Sequence, residues 1–156
     1  MTDHTKPTTH HYRQLALMLL ASFVAMFALT YAMTNRFDDV YANWNKVYMA
    51  ALMTAPMGLI EIVLMRGMYQ DRKMNLVVAV SSLLLLAGAW VAIRQQVAIS
   101  DTQFLRAMIP HHSSAILMCE RTTLTDPELI KLCGTIVAGQ QAEIDQMNAA
   151  LERLGR

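Results

Sequence analysis

Three long apolar runs limit what this chain can fold into more tightly than any other feature. Leu15–Met33 and Leu76–Ile93 contain no charged residue, and Val47–Met65 is interrupted only by Glu61. Each is close to the ~20 residues a helix needs to cross the hydrocarbon core of a bilayer. Hydrophobic residues make up 54% of the 156, too many for a soluble domain of this size, so the lipid bilayer is the expected surroundings. The first run exceeds the ~7 to 15 residue core of a cleavable signal, and no small-x-small site follows it, so it reads as an anchor.

The expected architecture is all-α, in three parts. Residues 1–13 form a polar, threonine-rich tail with no apolar periodicity and are expected to be disordered. Residues 14–94 form a membrane domain with spans at 15–33, 47–69 and 75–93. Residues 95–156 form an antiparallel helical hairpin. Lys6 and Arg13 precede the first span, and Arg66, Arg72 and Lys73 separate the second from the third. Arg36, Lys46, Arg94 and Arg106 fall on the other side. This small bias predicts a cytoplasmic N-terminus and an extracytoplasmic C-terminal domain. A net charge of +1 gives no electrostatic footprint for nucleic acid.

Potential ligand atoms concentrate between Phe104 and Cys119. On a helix Met108, His111 and Met118 share one broad stripe, and His112 lies about 100° round from His111. Thioethers with imidazoles suit Cu(I) or Ag(I), whereas Mg or Ca would want carboxylates and carbonyls. The competing reading is that methionine fills gaps in helical cores and a paired histidine hydrogen-bonds. Ser100 or Asp101 offers an N-cap for this helix. Pro110, inside it, is expected to kink or restart the backbone just before the histidines. The last helix begins at Thr125-Asp126-Pro127-Glu128, a capping signal with proline in the first turn. Its apolar seam, Ile130 to Leu154, is interrupted at Gln140; Glu143 and Met147 follow on the same side.

If a symmetrical turn at Thr122–Thr125 joins the two helices, Cys119 comes level with Glu128 and Cys133 with Ser114. That offset of about five residues, ~7.5 Å along the axis, argues against an intrachain disulfide. Cys133 is then a free thiol, either a further soft ligand or inert packing.

In the second span Met49, Met53, Met57, Glu61 and Met65 recur every four residues, drifting about 40° per step round one side of the helix. They could form a metal path across the membrane, or be ordinary apolar residues in lipid. An ionisable residue at that depth needs a protein or water partner. Pro56 removes a backbone bond beside the stripe. The tail histidines His4, His10 and His11 read as solvated.

The residues Asp101, Phe104, Met108 to His112, Ala115-Ile116, Met118, and then Gln140, Glu143 and Met147 carry a resemblance to the bacterial "domain of unknown function 305" family. It covers roughly the last third of the chain. The resemblance implies a ferritin-like helical unit, half of a four-helix bundle, often extracytoplasmic and in some relatives copper-binding. A bacterial inner-membrane location follows from the same likeness. Many members carry two tandem copies of the helical pair and this sequence has one, so a homodimer is expected to complete the bundle.

The expected function is therefore a membrane-anchored soft-metal binder, for copper, capturing or buffering the ion outside the cytoplasm. Met108, His111, His112 and Met118 are the ligands, supported by Gln140, Glu143 and Met147, with a metal-handling protein as a possible partner. The alternatives are a structural or regulatory subunit recruiting a partner, and a transport component using Glu61 and the methionine stripe. No nucleophile-base-acid set, phosphate loop or dinucleotide motif is present, so no enzyme is expected.

Overall fold

The computed structural model describes residues 7–155. Among them there are helices and no strands. The long helices are α1 Pro7–Leu29, α2 Trp44–Leu64, α3 Arg72–Gln95, α4 Asp101–Arg121 and α5 Pro127–Arg153, with a single 3-10 turn at Phe37–Asp39 between α1 and α2. α1 from His10 onward, α2 and α3 are long and apolar enough to cross a membrane. The chain divides into two compact units. Among the described residues one holds α1, α3 and most of α2 (residues 7–30 with Val47–Val97), and the other holds Tyr31–Lys46 with residues 98–155.

In the first unit, α2 packs through its small residues. Ala50, Ala51, Thr54, Ala55 and Gly58 are buried, as are Ser82 and Ala89 on α3. At Gly58 a Cβ would stand 2.7 Å from Ser82 Oγ and 3.4 Å from Leu19 Cδ1, so the absence of a side chain lets the helices approach. Large residues point outward instead: Leu84 is 68% exposed and Leu76 65%, as hydrocarbon surroundings would allow. α3 starts because the Asp71 carboxylate accepts from the amides of Lys73 and Met74, capping two orphan donors. It ends where Gln96 turns left-handed (φ 50, ψ 44).

The expected disorder of residues 1–13 is corrected for residues 7–13, which are the first turns of α1; His4 and the remainder of residues 1–6 lie outside the described residues. Tertiary contacts order this segment. Tyr12 is buried with Leu15 and Tyr69, its ring 5.2 Å from that of Tyr69. The Tyr12 hydroxyl donates to Asn75 Oδ1 at 2.7 Å, and Asn75 Nδ2 donates to the Tyr69 carbonyl at 2.9 Å.

The second unit is the antiparallel pair α4–α5 with residues 31–46 laid against it. Ser100 caps α4 by accepting from the Gln103 amide, and Asp126 caps α5 by accepting from those of Glu128 and Leu129. The core is Ile109, Ile116, Ile144 and Leu151, flanked by Tyr41, Leu105, Val137 and Met147. α4 runs through Pro110 without restarting. Proline has no amide hydrogen to give Arg106, and the Arg106 carbonyl instead accepts from Asn43 Nδ2 at 3.1 Å.

Cys119 and Cys133 form a disulfide with their Cα atoms 5.3 Å apart, which overturns both the expected absence of an intrachain bond and the reading of Cys133 as a free ligand. The symmetrical turn was the faulty premise. Thr122 is extended at the end of α4, and Asp126 at the start of α5 (ψ 131 and 123). Extended residues advance about 3.3 Å each against 1.5 Å in a helix, so α5 begins beyond the end of α4. Its first turns overhang, which leaves Leu129, Ile130 and Leu132 about half exposed.

Candidate functional site

The seam of α4 that faces α5 repeats every three or four residues: Leu105, Ile109, His112, Ile116, Cys119. His112 therefore replaces an apolar residue at a core position, and its side chain is only 11% exposed. Such a buried imidazole needs partners for both nitrogens. Nδ1 lies 2.9 Å from the Met108 carbonyl, one turn back on α4. Nε2 lies 2.8 Å from Glu143 Oε2 on α5, a carboxylate whose side chain is 57% exposed.

This arrangement has a chemical consequence. A carbonyl only accepts, so Nδ1 must be the protonated nitrogen, and in a neutral ring Nε2 then turns a lone pair towards a carboxylate oxygen. Two acceptors at that distance repel. A proton held between Nε2 and the carboxylate, or a cation held by both groups, resolves the conflict.

The seven expected ligands are not all brought together. Glu143 meets His112 directly, and Met108 meets it through its backbone. His111 is exposed, its ring 5.9 Å from that of His112 and edge-on. Met118 is 56% exposed. Met147 packs against the isoleucine core, and Gln140 is half-buried one turn before Glu143. Among the described residues no three His, Cys, Asp or Glu side chains converge as a ligand set.

The methionines of α2 divide as well. Met49, Met53 and Met65 are exposed, whereas Met57 and Glu61 are half-buried beside the small-residue face. Glu61 acts on Tyr69: burial raises the Tyr69 hydroxyl above its ordinary value, and the Glu61 charge raises it further. His10 is exposed and His11 half-buried, both on α1.

Sequence reasoning missed the segment that holds α4 in place. In residues 31–46 Asp39 and Asn43 are buried, and Ser113, beside His112, is 0% exposed. The Ser113 hydroxyl donates to Asp39 Oδ2 at 2.6 Å and accepts from the Asn35 amide at 3.0 Å. The Tyr41 hydroxyl donates to Asn148 on α5 at 3.2 Å. Burial raises the Tyr31 hydroxyl above its ordinary value, so it remains a donor, and it gives its proton to the Tyr41 carbonyl at 2.9 Å. One sequence signal pointed here: a proline inside a helix frees a carbonyl that some other donor must meet.

The family described as "Domain of unknown function (DUF305)" matches residues 34–151, a stretch that takes in the 31–46 segment from Thr34 as well as the histidine helix. "Uncharacterized protein L153" of Acanthamoeba polyphaga mimivirus is 36% identical over 141 residues, covering 87% of this chain and 90% of its own length. No solved structure matches.

Proposed function

The chain belongs to the domain of unknown function (DUF305) family, and from that premise we propose that it is a membrane-anchored copper-binding protein that captures or buffers the ion outside the cytoplasm. The observation that carries the reading is the buried His112, with Nδ1 tied to a backbone carbonyl and Nε2 set 2.8 Å from the Glu143 carboxylate. Metal-binding histidines are commonly oriented by donating their other ring N–H to a carbonyl or carboxylate. His112 Nε2 and Glu143 Oε2 would be the atoms that hold the ion, an imidazole nitrogen beside a carboxylate oxygen. Imidazole with carboxylate suits Cu(II), and a thioether such as that of exposed Met118 suits Cu(I).

The extracytoplasmic location is supported by the disulfide, because such bonds persist in oxidising compartments, and by the lysine and arginine bias. A homodimer is supported by the overhanging apolar turns of α5. The same exposed Leu129, Ile130 and Leu132 favour a second reading, in which the hairpin recruits a different protein.

The test is copper titration of the full-length protein in detergent, with mass measurement of the same sample. His112→Ala and Glu143→Gln should each weaken binding by roughly tenfold or more, and His10→Ala with His11→Ala should not. Wild-type affinity in both site variants would leave the pair a structural ion pair. A monomer whose hairpin captures a different protein would support the second reading.

A further inference from the structure

At the tip of the hairpin Cys119 and Cys133 come from facing helices with Cα atoms 5.3 Å apart. Cys119 lies two turns along the same α4 face as His112, with the Ile116 layer between them. The pair is approachable. It borders an open groove of about 600 Å³ whose lining includes Thr122, Leu124, Ile130 and Gly134, and a side chain at Gly134 would meet nothing within 4 Å.

We propose that this cysteine pair is a second soft-metal site, absent while the disulfide is closed and created when it is reduced. Thiolates are the softest ligands a protein offers and select Cu(I). Two thiolates so placed can each stand about 2.3 Å from one ion by rotation about their Cα–Cβ bonds, with the helices left where they are. The groove admits both reductant and ion.

The reductant is a dithiol. Its thiolate attacks one sulfur of the pair, forming a mixed disulfide and releasing the other cysteine as thiolate. The donor's second thiol then attacks the donor sulfur of that bond and leaves as the donor's own disulfide. The chain gains two electrons and two protons, and Cu(I) displaces the thiol protons on binding. The site uses neither His112 nor Glu143 and stands or falls apart from them.

The experiment compares oxidised full-length protein in detergent with protein reduced by dithiothreitol and desalted without oxygen. Both are titrated with Cu(I) supplied from a chromogenic chelator, with helicity followed by circular dichroism. Reduced protein should remain helical, bind about one additional Cu(I) per chain and gain an ultraviolet thiolate-to-copper band. The additional ion should vanish in Cys119→Ser/Cys133→Ser and in reduced wild type whose thiols are alkylated, and survive in His112→Ala/Glu143→Gln. Equal stoichiometry in the two redox states, loss of helix on reduction, or loss of the additional ion in the His112 variant would each overturn the proposal. Failure of the oxidised protein alone to bind copper would count against the His112 site and leave this one standing.

Discussion

Asn43 and Pro110 should be energetically coupled although 67 positions of sequence part them. Asn43 is 4% exposed. Its Oδ1 accepts from the Lys46 amide at 3.0 Å, which caps α2, and its Nδ2 donates to the Tyr41 carbonyl at 2.9 Å and the Arg106 carbonyl at 3.1 Å. Asn43→Ala loses a cap worth about 1 kcal/mol and strands the Arg106 carbonyl, at about 1–3 kcal/mol, a total of about 2–4 kcal/mol. Pro110→Ala restores an amide four residues after Arg106, so the carbonyl regains a helical donor. In that background Asn43→Ala should cost about 1–2 kcal/mol less than in wild type, the coupling expected of groups sharing one acceptor. The assay is denaturant unfolding of the four proteins of the cycle in detergent, read by Trp44 fluorescence with Trp90→Phe throughout. Additivity within about 0.3–0.5 kcal/mol would show that Asn43 is not the substitute donor for the proline's missing amide.

Ser113→Ala should destabilise the hairpin unit by about 2–3 kcal/mol, because buried Asp39 loses a charge-assisted donor; a thermal midpoint within a degree of wild type refutes this. Reduction should lower unfolding stability by about 3 kcal/mol for a loop of this size, and alkylation of unreduced, unfolded protein should label no cysteine; free thiols there would mean the bond does not form. A reporter fused after Gly155 should behave as extracytoplasmic, and a cytoplasmic signal would move copper handling inside the cell.

The three apolar helices and both C-terminal helices were legible because their signals are local: long apolar runs, the Ser100 cap, and proline following Asp126. What escaped was set by tertiary contact. Nothing near Pro7 in sequence announces that Tyr12 will find Asn75, so the start of α1 was missed. The disulfide was missed because a connector's length in ångströms depends on whether it is extended or coiled, which residue counts do not reveal. At the site, the heptad-like row Leu105, Ile109, His112, Ile116 was present in the sequence and singles out His112 over His111 as the inward imidazole. Its partner Glu143 was among the expected residues, but which of the expected α5 residues would meet His112 depended on how α5 lies against α4.

The bond between the Asn35 amide and the Ser113 hydroxyl is also a rule of parity. Two groups can be hydrogen-bonded only on the same side of a membrane, so the chain between them must cross an even number of times. Two of the three membrane-length helices, α2 and α3, lie in that interval. They must therefore enter as a pair or not at all, whichever way the chain is oriented. A charge substitution that expels α3 alone would strand α4 and α5 across the bilayer from residues 31–46, and would remove Asp39 and Asn43 from the hairpin without touching either.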